Sequence, residues 1–387
     1  MIPIETVAQN GRVQAALTQF PERVAEMVAQ AIAIQQIPSP TFAEAKRAAY
    51  VEQQFAELGL FDVSQDELHN VYGRFPGSQP QNHAPVIISA HSDTVFPAET
   101  DLTIRQEGNV TYGPGIGDNS MGVAGLIALV EALQRCEIRP LADIWFVANV
   151  GEEGLGDLRG MRAVVERFGG GSIYLVVEGG LFGQISHQAI GVSRYEVSFQ
   201  TAGGHSWGNF GQRSAIHELG KFVAAIDKIK VPARPKTTYN VGVIEGGTSI
   251  NSIAQSAKLL LDLRSESPGH LAALVAEVEG LVANWQTQTD VQIEMKQIGS
   301  RPAGQLARHA PLVKQAVAAL RFVGCEKINF IASSTDANIP LSLAYRAVCI
   351  GLTESGNAHR LDEYMDSTHL PAGMGQLLLL ALSAAGL

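Results

Sequence analysis

Cysteine is scarce in this chain of 387 residues: there are three, Cys136, Cys325 and Cys349, far apart and without a CxxC pair. Neither a disulfide framework nor a thiolate zinc site is therefore expected, and a reducing compartment fits. Positive charge is in deficit as well. The 28 Lys and Arg stand against 38 Asp and Glu, a formal net charge of −10, which argues against the clustered basic surface that sequence-independent binding to nucleic acid or anionic membrane requires. Long apolar runs are wanting too. "LLLLALSAAGL" near the carboxyl end falls far short of the roughly 20 residues of a spanning helix, and the opening "MIPIETVAQNGRVQ" has no basic region followed by an apolar one. Repeats and low-complexity tracts are missing. The expectation is a cytoplasmic protein without nucleic-acid or membrane partners.

What remains is a globular composition, 46% hydrophobic and 17% charged, in a chain long enough to outgrow a single core, so two domains are expected. Up to about residue 180, unbroken apolar runs ("PVIISAH", "ADIWFVANV", "SIYLVVE") alternate with helical stretches such as Phe42 to Leu58 and Ser120 to Leu133. Continuous apolar strands between helices predict an α/β domain with a mostly parallel sheet, helices covering both faces. From about 190 the pattern alternates instead, with Tyr195, Val197 and Phe199 on one face and Arg194, Glu196, Ser198 and Gln200 on the other, which predicts a half-exposed sheet. A helix carrying Ile216, Leu219, Phe222, Val223 and Ile226 follows, then strands near 237–245 and 256–264, a helix over 269–286, and a strand with Val291, Ile293 and Met295. That order, β-α-β-β-α-β, predicts a ferredoxin-like α+β unit. Since the buried rhythm returns with "KINFI" and "AVCIGL", this unit is read as an insertion: residues 1–188 and 299–387 form one domain and 189–298 the other.

In open parallel sheets the site lies at the carboxyl ends of the strands. Three apolar runs end there on metal-ligand types: His91, the pair Glu152-Glu153, and Glu178; "AVCIGL" leads on to His359, and the glycine-rich "YGPGIGDNS" delivers Asp118 to a helix start. Taken singly each has a plainer role: a helix N-cap for Asp118, structural histidines, a solvated glutamate loop, a strand-end charge. Five such accidents on one sheet edge are harder to accept. Two His and several carboxylates without Cys suit zinc, with cobalt or manganese as alternatives, and the count favours two ions roughly 3.5–4 Å apart. One glutamate of the adjacent pair can then bind metal while its neighbour takes a proton from metal-bound water as general base.

The ordered strings "SAHSDTVFP", "YGPGIGDNSMGVAG", "VGEEGLGDLRG", "VVEG" and "GNAHRLDEYM" resemble the zinc exopeptidase and aminoacylase family that includes peptidase T, bacterial glutamate carboxypeptidase, acetylornithine deacetylase and succinyl-diaminopimelate desuccinylase. The resemblance implies that His91 and Glu178 hold one ion, Glu153 and His359 the other, and that Asp118 bridges them. It implies Glu152 as general base, Asp93 as the residue orienting His91, and a cis peptide bond between Asp118 and Asn119. In "TAGGHSWG" it makes His205 a histidine that helps polarise the scissile carbonyl, often in a partner subunit's site. In "GGTSINSIAQSAKLLLDLRS" it makes Asn251 and Arg264 substrate contacts, although a strand-end salt bridge serves Arg264 nearly as well. The inserted domain would be a lid and dimerisation domain, its helices offering apolar residues such as Val223 and Leu274 to a second copy in a homodimer. One departure stands out: relatives often carry lysine two residues after the bridging aspartate, where this chain has Ser120, which bears on substrate preference. "SSTDANIP" around Asp336 most resembles peptidase-T-like members; Asp336 is equally a candidate helix cap. The expected function is a metal-dependent exopeptidase cleaving short peptides. The alternatives are an N-acyl-amino-acid deacylase using the same two ions and, from another class, a silent binding or scaffold relative.

Overall fold

The computed structural model describes residues 1–288 and 290–387. The chain divides into two compact units, Met1–Ala189 with Gln305–Leu387, and Ile190–Gly304. The second crossing falls at 304 rather than 299 because the last strand of the inserted unit, Gln292–Arg301, runs on past that position.

The larger unit is built on one sheet. Its strands lie in the order Phe61–Gln65, Val71–Phe75, Ile144–Asn149, Val86–His91, Ile173–Glu178, Arg346–Gly351, Gln184–Ala189, with Asn329–Ser333 also beside Gln184–Ala189. From Ile144–Asn149 to Arg346–Gly351 the pairing is parallel throughout. These are the strands that read as continuous apolar runs, and alternate residues feed two cores. Ile88, Phe146, Leu175, Val177, Val348 and Ile350 face one, while Ile87, Val147, Tyr174, Val176, Ala347 and Cys349 face the other, as a strand's two-residue period requires.

A mostly parallel sheet was expected; the centre is parallel, and antiparallel flanks make the sheet mixed. Phe61–Gln65 and Val71–Phe75 form an antiparallel pair, and Val71–Phe75 lies antiparallel on Ile144–Asn149. Gln184–Ala189 is antiparallel to Arg346–Gly351. Between Glu178 and Gln184 there is only a tight turn, too short for the crossover that a parallel return needs. Helix Met121–Arg135, whose residues are buried on nearly all sides, packs in the first core with the carboxyl-terminal helix Leu370–Ala385. The segment Ile116–Arg135 is long and apolar enough to cross a membrane by length and composition, and 89% of its apolar window is buried inside the protein.

In the inserted unit the strands lie Thr237–Gly246, Ser256–Ser265, Gly191–Gln200, Gln292–Arg301, all antiparallel. Helices Ala215–Ile226 and Pro268–Gln288 cover one face, burying Phe222 and Val278 against Val197, Phe199 and Leu261. This corrects one expectation. Leu274 is buried in that core and Val223 packs against it, so neither is offered to a second copy: the helices turn these residues toward their own sheet, whose apolar face they must cover.

Candidate metal centre

Strands Ile144–Asn149, Val86–His91 and Ile173–Glu178 are neighbours in parallel register, with His91 opposite Asn149 and Ser89 opposite Val176, so their carboxyl ends form one rim. His91 closes its strand and is buried, as is Glu178 at the end of its own. Asp118 reaches the rim from the turn Ile116–Ser120, entered through Gly115 in the left-handed region (φ 74°), where a glycine carries no Cβ penalty. His359 arrives on the hairpin between Glu354–Gly356 and Tyr364–Asp366, itself at positive φ (68°).

The side chains meet through Asp118. Its Oδ1 lies 3.1 Å from His91 Nε2 and its Oδ2 lies 3.2 Å from His359 Nε2. His91 Nε2 is also 3.6 Å from Glu178 Oε2, and His359 Nε2 is 3.1 Å from Glu153 Oε1. His91, Asp118 and Glu178 form one group whose ligand atoms lie within 4.8 Å of one another, and Asp118, Glu153 and His359 form a second; His91, Glu152 and Glu153 form a third. Nitrogen and carboxylate donors in triads that share an aspartate suit a pair of divalent ions. Asp118 does not cap its helix, which starts from Ser120 with no side-chain cap bond, and the bond Asp118–Asn119 is cis, as the resemblance implied.

The electrostatics are those of interlocked charges. Hydrogen bonds to Asp118 and Glu153 push His359 up to about 10. Burial pulls His91 down, but Asp118, Asp93 and Glu178 outweigh it and hold the ring well above its ordinary value. Burial likewise works against the Asp118 carboxylate, and His359 and His91 together hold it well below the usual range. Burial raises Glu178, with His91 pulling the other way. Such opposed shifts in one small volume mark functional sites.

The adjacent glutamates are explained by their amides. Asp93, fully buried, accepts the Glu152 N–H on Oδ1 and the Glu153 N–H on Oδ2, each at 3.0 Å, and the Thr41 hydroxyl at 2.9 Å. One carboxylate thus pins both residues while their side chains are free to diverge. The preceding Gly151 sits at φ 67° with Arg159 packed where a Cβ would be. The role expected for Asp93 is correspondingly broader. His91 Nδ1 lies 3.1 Å from the main-chain oxygen of Asp93 and 3.5 Å from its carboxylate, so the side chain binds Thr41 and the glutamate amides more closely than it binds His91.

Two residues at the rim, Asn119 and Glu363, escaped sequence reasoning, and a third, Asp336, was read there only within a family-like string and as a candidate helix cap. Asn119 donates to Val177 O (2.9 Å) and accepts from Gly179 N (2.6 Å), gripping both neighbours of Glu178. Asp336 caps nothing: its helix has no side-chain cap, and the buried carboxyl accepts from Asn149 Nδ2 at 2.7 Å. Burial pushes it up to about 7, with His91 and Asn149 opposing. Glu363, also buried, takes three amides of the Asp118 turn; burial and then Asp118 push it up to about 7 against those bonds. The only available signal was that Glu363 stands four residues after His359 in "GNAHRLDEYM".

Within the inserted unit, His205 and Asn251 are brought together. His205 pairs with Ser252, and the Ser206 N–H donates to Asn251 O at 3.0 Å. His205 Nδ1 accepts the N–H groups of Trp207 and Gly208, both at 3.2 Å, so the neutral ring carries its proton on Nε2. Arg264 does not join them. Residue 256 pairs with 200 and residue 264 with 192 on the same strand, a separation of about 27 Å at ~3.4 Å per residue, and Arg264 donates twice to Asp262 (2.9 and 2.7 Å). The salt bridge offered as its plainer role is present.

Comparison with known proteins places the chain among relatives of known fold and family. The chain is 26% identical over 275 residues to the uncharacterized protein YqjE of Bacillus subtilis, covering 67% of this chain and 72% of that one. Its fold is similar to that of a tripeptidase from Staphylococcus aureus (TM-score 0.79, 19% identity, 94% of this chain and 99% of the other). It is also similar to aminopeptidase PepT from Bacillus cereus (TM-score 0.75, 20% identity, 94% and 99%); at these identities the likeness concerns the fold. Residues 87–383, which include all five elements of the rim, match the family described as Peptidase family M20/M25/M40, and the chain belongs to that family, as a hydrolase of peptide bonds.

Proposed function

We propose that this chain is a dimetal exopeptidase that releases amino acids from short peptides. The observation that carries the reading is Asp118, which offers one oxygen to His91 and the other to His359 at 3.1 and 3.2 Å, a geometry suited to a carboxylate shared by two ions. His91 and Glu178 would hold one ion and His359 and Glu153 the other, zinc by donor type, with cobalt or manganese as alternatives. When bound, the pair supplies Lewis-acid activation of a water and of the scissile carbonyl. Glu152, held through its amide by Asp93, takes the proton from the attacking water and passes it to the leaving amine nitrogen. His205, its Nδ1 occupied by two amides, donates Nε2–H to the oxyanion. Asn251 beside it binds polar groups of the substrate. Arg264 is kept as a contact for the substrate carboxylate only if substrate displaces Asp262. The β-α-β-β-α-β insertion acts as lid and dimerisation domain, in a cytoplasmic enzyme.

The peptide reading draws support from "SSTDANIP" and from the likeness in fold to a tripeptidase and to PepT. A panel of di- and tripeptides and N-acyl amino acids, assayed with zinc, cobalt and manganese, tests it. Metal-dependent release of free amino acid from tripeptides is expected. Release from N-acyl amino acids alone would make the protein a deacylase, and hydrolysis of neither would make it a silent relative.

The homodimer rests on exposed apolar groups of the inserted unit other than the two first expected. On the edge strand Thr237–Gly246, Val243 and Ile244 are 41% and 54% exposed, and Trp207 and Phe210 beside His205 are nearly fully so. An open edge with apolar side chains is a template for pairing with another chain. Light scattering should give the mass of two chains; a monomer at assay concentration would remove the dimer and any role for His205 in a partner's site.

A further inference from the structure

Resting on that dimetal reading, we infer that Glu363 is a positioning residue that locks the Asp118 turn to the His359 hairpin and so sets the spacing of the two ligand triads. Its side chain is 1% exposed. Oε1 accepts the N–H groups of Gly117 and Asp118, each at 2.9 Å, and Oε2 accepts that of Gly115 at 3.0 Å. Its main-chain oxygen accepts a fourth, from Gly113 at 2.8 Å. One residue therefore receives four amides from the segment 113–118. These N–H groups precede the helix at Met121, and buried donors of this kind must find acceptors. Four residues earlier the same loop carries His359, whose Nε2 lies 3.2 Å from Asp118 Oδ2. Pairing of Tyr364 with Tyr112 fixes the register that inserts Glu363 under the turn.

A buried carboxylate beside the candidate bridging aspartate is costly unless paired or hydrogen-bonded, and here it faces amides rather than a cation. A neutral amide side chain would fill the same space, but its NH2 would meet donors. The two candidate ligands on either side of the centre, 118 and 359, share no secondary-structure element, so Glu363 is the covalently short link from one to the other. Partners that orient metal ligands are worth about 10–100-fold in metal affinity.

The test uses metal-free full-length protein titrated with zinc against a chromophoric chelator, with thermal unfolding of the metal-free state measured alongside. Glu363→Gln should weaken zinc binding about 10–100-fold. Glu363→Asp, which keeps the charge but withdraws it from the amides, should weaken it comparably and guards against a Gln variant that fails to fold. Leu379→Ala, a core cavity in the carboxyl-terminal helix, serves as the stability control and should lower the unfolding temperature without moving zinc affinity. Wild-type affinity in Glu363→Asp or Glu363→Gln, or an equal affinity loss in Leu379→Ala, would overturn the inference. A wild-type protein that binds no divalent ion would instead overturn the dimetal reading on which it rests.

Discussion

Glu152→Gln is expected to lower turnover by about 100-fold or more, the scale of a lost general base, while metal content stays near that of the wild type. The Glu152 amide is fixed by Asp93 and the side chain is buried at the rim, so the substitution removes a proton acceptor and leaves the backbone anchor in place. Glu153→Gln behaves differently. Glu153 Oε1 lies 3.1 Å from His359 Nε2 in the triad with Asp118, so its substitution is expected to lose metal as well as rate. The test is discriminating because His91, Glu152 and Glu153 also form a cluster within 4.8 Å, which would let Glu152 act as a ligand. Elemental analysis of the two variants separates the roles: equal ion loss in both would defeat the division.

Asp118→Asn is expected to have the larger effect. Each Asp118 oxygen faces a different histidine, so replacing one with an NH2 group turns a donor toward one half of the centre and removes the charge felt by both. Buried His91 and exposed His359 lose the carboxylate they share. Bound metal should fall below that of Glu178→Gln or Glu153→Gln, each of which strips one triad only. Loss of Lewis-acid stabilisation worth several kcal/mol corresponds to roughly a 1000-fold fall in rate. Metal content by elemental analysis with the peptide assay checks it. An Asn variant that retains both ions and most of its activity would show that Asp118 is not the shared ligand.

The sequence by itself determined the parts governed by local period and by burial on both faces. Strands Val86–His91, Ile144–Asn149 and Ile173–Glu178 are buried along nearly their whole length, so they had to read as unbroken apolar runs, and the polar residue ending each run stands out for that reason. The alternation of Tyr195, Val197 and Phe199 has the same origin in a sheet covered on one side. Helical spacing in the inserted unit revealed which residues share a face but not what that face meets, and Val223 and Leu274 were misplaced for that reason. The flanks of the main sheet were decided by connection length and strand partner, neither of which leaves a periodic trace. Contacts that aim the ligands belong to tertiary structure alone. Glu363 reaches Gly115 across 248 positions and Asp93 reaches the Glu153 amide across 60. Both join a side chain to a backbone N–H, a donor that nearly every residue carries, so nothing in the identity of the partner announces the bond until the fold brings the two together.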